Sequence, residues 1–454
     1  MVFVGMRLSV IGAGYVGLVS AVCFADRGYE VTLSTHDAER VKLINQAASP
    51  FYETGLQEGL ERAVGSSRLR ATASREEAVF NSDATFIASG TPSRADGSID
   101  LTYIRKSSVE IGKALRKKDG YHLVVVRSTV VPGTTENVVK PSIEKHSGKE
   151  AGTGFGLVMQ PEFLRQGSAI HDTMNPDRII IGEYDTRSGE TLESLYRDFY
   201  KDKLPPVLRM NLASAEMTKY ASNAFLATKI SYINEIANIC EKVPGVDVVK
   251  VAEGLGLDER IGRKFLNAGA GFGGSCFPKD VNAIVAFAKS HRYRPRILES
   301  ALEVNKDQAT HVAKLIKKRL GTLRGKRVAV LGLSFKPGTD DLREAPSLRI
   351  IRQLLKEGVR VVVYDPVAIN NTKRILGNKI AYVDSALSCL QDADAAVMVT
   401  EWDEFKDITP NQFLERMRHP LVIDGRRIYD ADRFSKAGIQ ISAIGLGPTA
   451  HLGE

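Results

Sequence analysis

Cysteine is scarce in this chain of 454 residues: Cys23, Cys240, Cys276 and Cys389 stand far apart and form no CxxC pair. That spacing argues against a disulfide framework or a zinc site, so no metal is expected, and it suits a reducing compartment with one working thiol. Long apolar runs are also missing. No stretch approaches the roughly 18 residues that span a bilayer, and no membrane association is expected. The segment from Met1 to Ala25 is apolar enough for a signal peptide. Gly12, Gly14 and Gly17 stand in it at motif spacing, however, and read better as strand, turn and helix. These absences point to the cytoplasm. No basic run is interleaved with aromatics either: 62 lysines and arginines are scattered among 54 acids. The net charge of +8 therefore reads as a solvated surface with some phosphate-binding positions, not as a nucleic-acid footprint.

What is present begins with length, enough for two or three domains. Arg7 to Ile11 reads as a buried strand and runs into Gly12-Ala13-Gly14-Tyr15-Val16-Gly17. A helix from Leu18 to Arg27 and a second strand from Glu30 to Leu33 follow. G-x-G-x-x-G between strand and helix is a dinucleotide turn, with the pyrophosphate at the helix N-terminus. The acid that should end the second strand and hold the ribose is absent. Thr35 occupies its place, and Asp37 comes two residues late. NAD with Thr35 or Asp37 in a weaker role is one reading, favoured here. NADP, with His36 and Arg40 near a 2′-phosphate, is the other.

Further short apolar strands fall at 84–88, 123–127, 156–159 and 178–181, the first of them separated by helical patterns. The alternation predicts a parallel, doubly wound sheet whose ligand loops lie beyond the carboxyl ends of the strands. Three loops qualify: Gly90-Thr91-Pro92, Ser128 to Gly133 with Thr129, and Gln160 to Gly167 with Glu162, Phe163 and Leu164. Residues 211–243 contain no glycine or proline and predict a helix about 50 Å long. Met217, Tyr220, Ala221, Ala224 and Phe225 supply its apolar positions, and such a helix bridges two domains or meets another subunit. Lys219 and Asn223 on it point the same way. A second α/β unit starts at Gly325, with strands at 326–331, 360–364, 395–400 and 421–424 and a helix at 347–358. It has no G-x-G-x-x-G. Lys336 and Arg426 stand at its strand ends, where a phosphorylated ligand would dock. The tail after Ile444 reads as poorly tied down.

One decapeptide gathers more chemistry than the rest, Gly271-Phe272-Gly273-Gly274-Ser275-Cys276-Phe277-Pro278-Lys279-Asp280. A thiol, a cation and a carboxylate share one glycine-rich turn, and a cation beside a thiol favours the nucleophilic thiolate. A turn with a buried structural cysteine is the alternative.

These motifs, together with Pro161-Glu162-Phe163-Leu164, Asn175-Pro176-Asp177-Arg178, Lys219-x-x-x-Asn223, Asp258 to Gly262, Phe335 to Glu344 and Asp424-Gly425-Arg426, resemble the UDP-glucose/GDP-mannose dehydrogenase family over nearly the whole chain. The Gly-Gly-Ser-Cys-Phe-Pro-Lys-Asp variant is nearer its UDP-glucose branch. The resemblance implies an α/β protein of two doubly wound Rossmann-like parallel-sheet domains joined by a long central helix. They would divide as 1–205 binding NAD, 206–305 dimerising and carrying the cysteine loop, and 306–454 binding UDP. It also implies oxidation of a UDP-glucose C6 alcohol to the acid with two NAD. Cys276 would capture the aldehyde, Lys219 and Asn223 would stabilise oxyanions, and Asp280 would orient Lys219 or activate water. Glu162 would serve hydrolysis, with Thr129 holding a water. Gly12, Gly14, Tyr15, Val16, Gly17, Thr35, Arg40, Thr91, Thr129 and Lys279 would meet the cofactor. Phe163, Leu164, Phe272, Gly273, Phe335, Lys336 and Arg426 would meet the sugar nucleotide, and Arg260 would come from a second subunit of a dimer or larger assembly. Gln166 departs from the family, which usually has a second glutamate there, so Glu162 carries more of the hydrolysis. The competing readings are a dehydrogenase of GDP-mannose or another nucleotide sugar, a non-catalytic nucleotide-sugar binder, and a nucleic-acid binder.

Overall fold

Short apolar runs, buried at every position, build most of the first sheet: β1 (Leu8–Ile11), β2 (Val31–Ser34), then the partly exposed β3 (Leu69–Thr72), β4 (Ala84–Ile87), β5 (Leu123–Val126) and β6 (Gly156–Met159). β7 (Ile179–Glu183) and β8 (Val207–Asn211) complete eight strands in the order β3-β2-β1-β4-β5-β6-β7-β8. A strand packed on both faces needs no polar alternation, which is why these runs are largely apolar, with only the small hydroxyl side chains of Ser9, Thr32, Ser34 and Thr85 buried among them. The order reverses between β1 and β4, and such a reversal opens a crevice at the carboxyl ends. One pairing departs from the expected parallel sheet: β7 runs antiparallel to β6. β3 and β8 were not anticipated from the sequence, because their faces alternate in burial and no long apolar run marks them.

The chain is described by a computed structural model over residues 5–448, and it forms two units divided after Ser222. The first four residues of the signal-like segment and residues 449–454 of the tail lie outside the described residues. The first unit holds the eight-stranded sheet. Under β1, β4 and β5 it buries a polar patch. Ser9 Oγ and Thr85 Oγ1 are 2.7 Å apart, Thr85 Oγ1 is 2.8 Å from His122 Nε2, and Lys118 Nζ is 3.2 Å from His122 Nδ1. Burial pushes His122 down to about 3, with the Lys118 charge acting the same way.

The long helix is Leu212–Cys240, 29 residues and about 44 Å, somewhat shorter than expected. Its apolar positions divide between two faces: Tyr220 and Ala224 are buried, whereas Met217, Ala221 and Phe225 are exposed. The second unit follows with the helices Phe277–Ser290 and Arg296–Leu320 and a six-stranded parallel sheet. Its strands are β9 (Arg327–Leu331), β10 (Arg360–Tyr364), β11 (Ala381–Tyr382), β12 (Ala395–Met398), β13 (Leu421–Asp424) and β14 (Gln440–Ala443), ordered β11-β10-β9-β12-β13-β14. The segment just after Ile444 is held, contrary to the sequence reading. Gly447 N donates to Val246 O (2.8 Å), and Gly245 N donates to Pro448 O (2.9 Å). Among the described residues no helix is long and apolar enough to cross a membrane.

Candidate active site

In the first unit the dinucleotide turn has the required shape. Gly12 adopts φ +112°, and a Cβ there would stand 2.6 Å from the Ala88 carbonyl oxygen. Gly14 faces open space and starts the helix Tyr15–Asp26 without a side-chain cap. The first N–H groups of that helix are therefore available to a pyrophosphate, and the residues fit a dinucleotide. Val16 accepts at its carbonyl from Ser20 Oγ (2.6 Å), deeper in the helix. Asp37 is engaged otherwise than a ribose-binding acid. Its Oδ1 caps the helix Ala38–Asn45 by accepting from Glu39 N and Arg40 N, and its own N–H bonds the buried Thr35 at Oγ1 (3.3 Å). Arg40 Nη1 donates to Ala13 O (3.0 Å) and Nε pairs with Asp37 (3.3 Å), while His36 stacks on Tyr103. Both groups expected for a 2′-phosphate thus have other partners, in keeping with NAD.

The loops after β4, β5 and β6 are fastened to one another and to the long helix. Thr91 Oγ1 donates to Thr129 O (2.8 Å), and Ser128 Oγ donates to Ser89 O (2.7 Å). Lys219 Nζ donates to Glu162 O (2.7 Å) and lies 3.1 Å from its Oε1, while Leu164 N donates to Oε2 (2.7 Å). Burial of Glu162 would raise its carboxyl. Lys219, the Leu164 N–H and Arg127 outweigh that and leave it below its ordinary value, so the group is a buried carboxylate. Phe163 presents its ring to Arg178 at 4.1 Å and to Lys219 Nζ at 5.4 Å.

In the second unit the cysteine loop is held by amide side chains. Asn234 Oδ1 accepts from Gly269 N (2.8 Å), Gln308 Nε2 donates to Gly269 O (3.0 Å), and Asn305 exchanges two bonds with Phe272 (2.7 and 3.0 Å). Beyond β13 and β9, Gly425 O and Arg343 O accept from Ala270 N (3.0 Å) and Gly274 N (2.8 Å). Gly274 adopts φ +84°, and a Cβ there would meet the Phe335 ring at 2.8 Å. Gly273 packs against Glu344 O, which a Cβ would approach to 2.5 Å. Cys276 emerges exposed as the N-cap of Phe277–Ser290, where the helix dipole favours an anion. It is not the buried structural cysteine of the alternative reading. One turn on, the buried Asp280 accepts from Asn223 Nδ2 (2.6 Å) and Lys279 Nζ (2.5 Å). Arg343, paired with Asp341 at 2.9 and 2.7 Å, feels the Cys276 sulfur electrostatically.

Lys336 Nζ lies 6.0 Å from the Phe335 ring, Arg426 Nε donates to Val399 O (2.6 Å), and Arg260 is exposed and paired with Asp258 (2.6 Å). Two carboxylates escaped the sequence reading. Glu53 is buried and accepts from Gly167 N (2.6 Å), Ala169 N (2.7 Å) and the Tyr15 hydroxyl, joining the dinucleotide turn to the loop after β6. Glu216 is buried on the long helix, and burial pushes it up to about 7 against hydrogen bonds from Thr135 and Gly133. Its one legible signal is its place one turn before Lys219.

A parallel-sheet unit with a dinucleotide turn, and a second unit presenting an exposed thiol at a helix N-terminus, define an NAD-dependent oxidoreductase. Three models of the UDP-glucose/GDP-mannose dehydrogenase family match: its NAD binding domain at residues 6–200, central domain at 213–307 and UDP binding domain at 329–431. The chain is 48% identical to the UDP-glucose 6-dehydrogenase AglM of Haloferax volcanii, over 93% of this chain and 97% of that one. It is 43% identical to the UDP-glucose 6-dehydrogenase TuaD of Bacillus subtilis, over 97% and 93%. A solved UDP-glucose dehydrogenase from Pyrobaculum islandicum superposes with a TM-score of 0.90 at 41% identity, covering 98% of each chain. This chain belongs to the UDP-glucose/GDP-mannose dehydrogenase family.

Proposed function

We propose that the protein oxidises C6 of UDP-glucose from alcohol to carboxylate, yielding UDP-glucuronate and two NADH. The exposed Cys276 at its helix N-terminus, one turn from the Asn223–Asp280–Lys279 set, carries this reading, and the curated relatives named UDP-glucose 6-dehydrogenases supply the substrate. NAD accepts the hydride in each oxidation. The first oxidation leaves an aldehyde, whose carbon bonds the Cys276 sulfur as a thiohemiacetal. Loss of a second hydride and the hydroxyl proton turns this into a thioester. Water then bonds the acyl carbon, the carbon–sulfur bond breaks with its electron pair on sulfur, and Glu162 takes the proton that water releases. Lys219 and Asn223 stabilise the oxyanions, donors of a kind whose loss typically costs about 2.7–4 kcal/mol of barrier. Asp280 orients Asn223, Thr129 holds the water, and Lys336, Arg426, Phe335, Phe163, Leu164, Phe272 and Gly273 hold the sugar nucleotide.

The division at 1–205, 206–305 and 306–454 belongs to the same proposal, as does a cytoplasmic home, where NAD and reduced thiols coexist. So does a homodimer at least. Phe225, Tyr232 and Ile239 recur every seventh residue on the long helix and are exposed, Phe225 by 65%. An apolar seam of that spacing suits a second copy of the same helix, with Arg260 reaching the substrate of the neighbouring copy. Solved relatives include dehydrogenases of UDP-D-ManNAc (27% identity) and GDP-mannose (35%), which keeps another nucleotide sugar as the second reading. NADH yield decides. Two NADH per acid from UDP-glucose are expected, and faster turnover of GDP-mannose would reject the substrate.

A further inference from the structure

Glu216 lies in none of the motifs assigned above, yet it is wholly buried. A buried carboxylate is costly unless its oxygens are bonded. Glu216 Oε2 accepts from Gly133 N (2.5 Å), and Oε1 accepts from both Thr135 N and Thr135 Oγ1 (2.7 Å each). No salt bridge to it is found among the described residues, so its stabilisation comes from these donors, all in the segment following β5. That segment begins at Ser128 and Thr129, which Ser89 and Thr91 secure. It ends in a single π-helical turn, Thr135–Val139, a local departure from α-helix found often at functional sites. Glu216 grips that turn at its first residue.

The long helix thus fastens two neighbouring loops from adjacent turns. Glu216 holds the loop after β5, and three residues on, Lys219 holds the loop after β6 through Glu162. Residues i and i+3 share a helix face, so one rigid element sets the spacing between the Thr129 loop and the Lys219–Glu162 pair. We infer that Glu216 is a positioning residue for thioester hydrolysis: it registers the loop carrying Thr129, which holds the attacking water, against Glu162, which takes its proton. The inference rests on the reaction proposed above. Its chemistry is that of the hydrolytic step, and because Thr129 is also expected to meet the cofactor, the test is run with NAD saturating.

Full-length Glu216→Ala and Glu216→Gln, followed by stopped-flow absorbance of NADH at saturating UDP-glucose and NAD, test this. Glu216→Ala should release two NADH per subunit at the parental rate as a burst. A steady rate lowered about tenfold to a hundredfold should follow, with KM for UDP-glucose falling in step so that kcat/KM is unchanged, as a displaced water in the last step demands. Glu216→Gln keeps an oxygen acceptor for Thr135 and should lose less. If the alanine variant misfolds by circular dichroism, the glutamine variant and Thr135→Val, which deletes one bond, carry the same comparison. A steady rate equal to the parent, or a burst that slows in step with it, overturns the inference. A parental protein yielding no NADH from UDP-glucose would instead refute the underlying reaction, and the inference with it.

Discussion

In the proposed reaction Cys276 is the residue on which the chemistry turns, and its setting is made by neighbours more than by its own side chain. The sulfur is exposed, caps a 14-residue helix and follows glycines pressed against Phe335 and Glu344. Serine in its place keeps the geometry but is the weaker nucleophile, and an ester hydrolyses more slowly than a thioester. Cys276→Ser should therefore lower steady acid formation by roughly 10³-fold or more, with NAD affinity by titration unchanged. Acid made at the parental rate would end the covalent mechanism. Residue detail also separates the cofactors: Arg40 binds the Ala13 carbonyl and Asp37 caps a helix, which supports the NAD reading that the sequence favoured.

Loops and strands carry the next set of consequences. Gly274 at φ +84° would force a side chain into left-handed backbone and into the Phe335 ring. Gly274→Ala should cost about 1–3 kcal/mol of stability, seen as a lower Tm, and reduce kcat more than it weakens NAD binding. Under the first sheet, His122 is neutral in the fold, lowered from 6.5 to about 3 by burial, and faces Thr85, Ser9, Ser82 and Lys118, with Lys149 nearby. The unfolded chain binds the extra proton first. The stability from a neutral His122 is therefore whole above pH 6.5 and declines as pH falls from 6.5 towards 3. Relative to His122→Asn, the parent should lose up to about 1.4 kcal/mol per pH unit in that window, measured by urea midpoints at pH 7, 6 and 5. Curves that stay parallel would show that the histidine does not titrate so.

For the whole molecule, the exposed seam of Phe225, Tyr232 and Ile239 is the feature a solitary chain leaves unexplained. Carboxylates on it would be driven into apolar contact if two copies pair there. Phe225→Asp combined with Tyr232→Asp should convert a dimer in sedimentation velocity to a monomer, with the fold intact by circular dichroism. An unchanged sedimentation coefficient would place the contact elsewhere.

The dinucleotide turn, the buried apolar strands of both sheets, the long helix and the cysteine loop were legible in the chain because each is written in consecutive residues, whereas the outer strands β3, β8, β11 and β14 were not. Strand burial, helical period and a glycine's positive φ are local properties, and a motif needs only its own backbone. The reversal of β7, the helix cap made by Asp37, and the carboxylates that brace the loops were decided by folding. Glu53 meets Gly167 across 114 positions, and Glu216 meets Gly133 across 83. A buried acid is tolerable only where distant N–H groups converge on it, and no spacing along a chain announces which ones will.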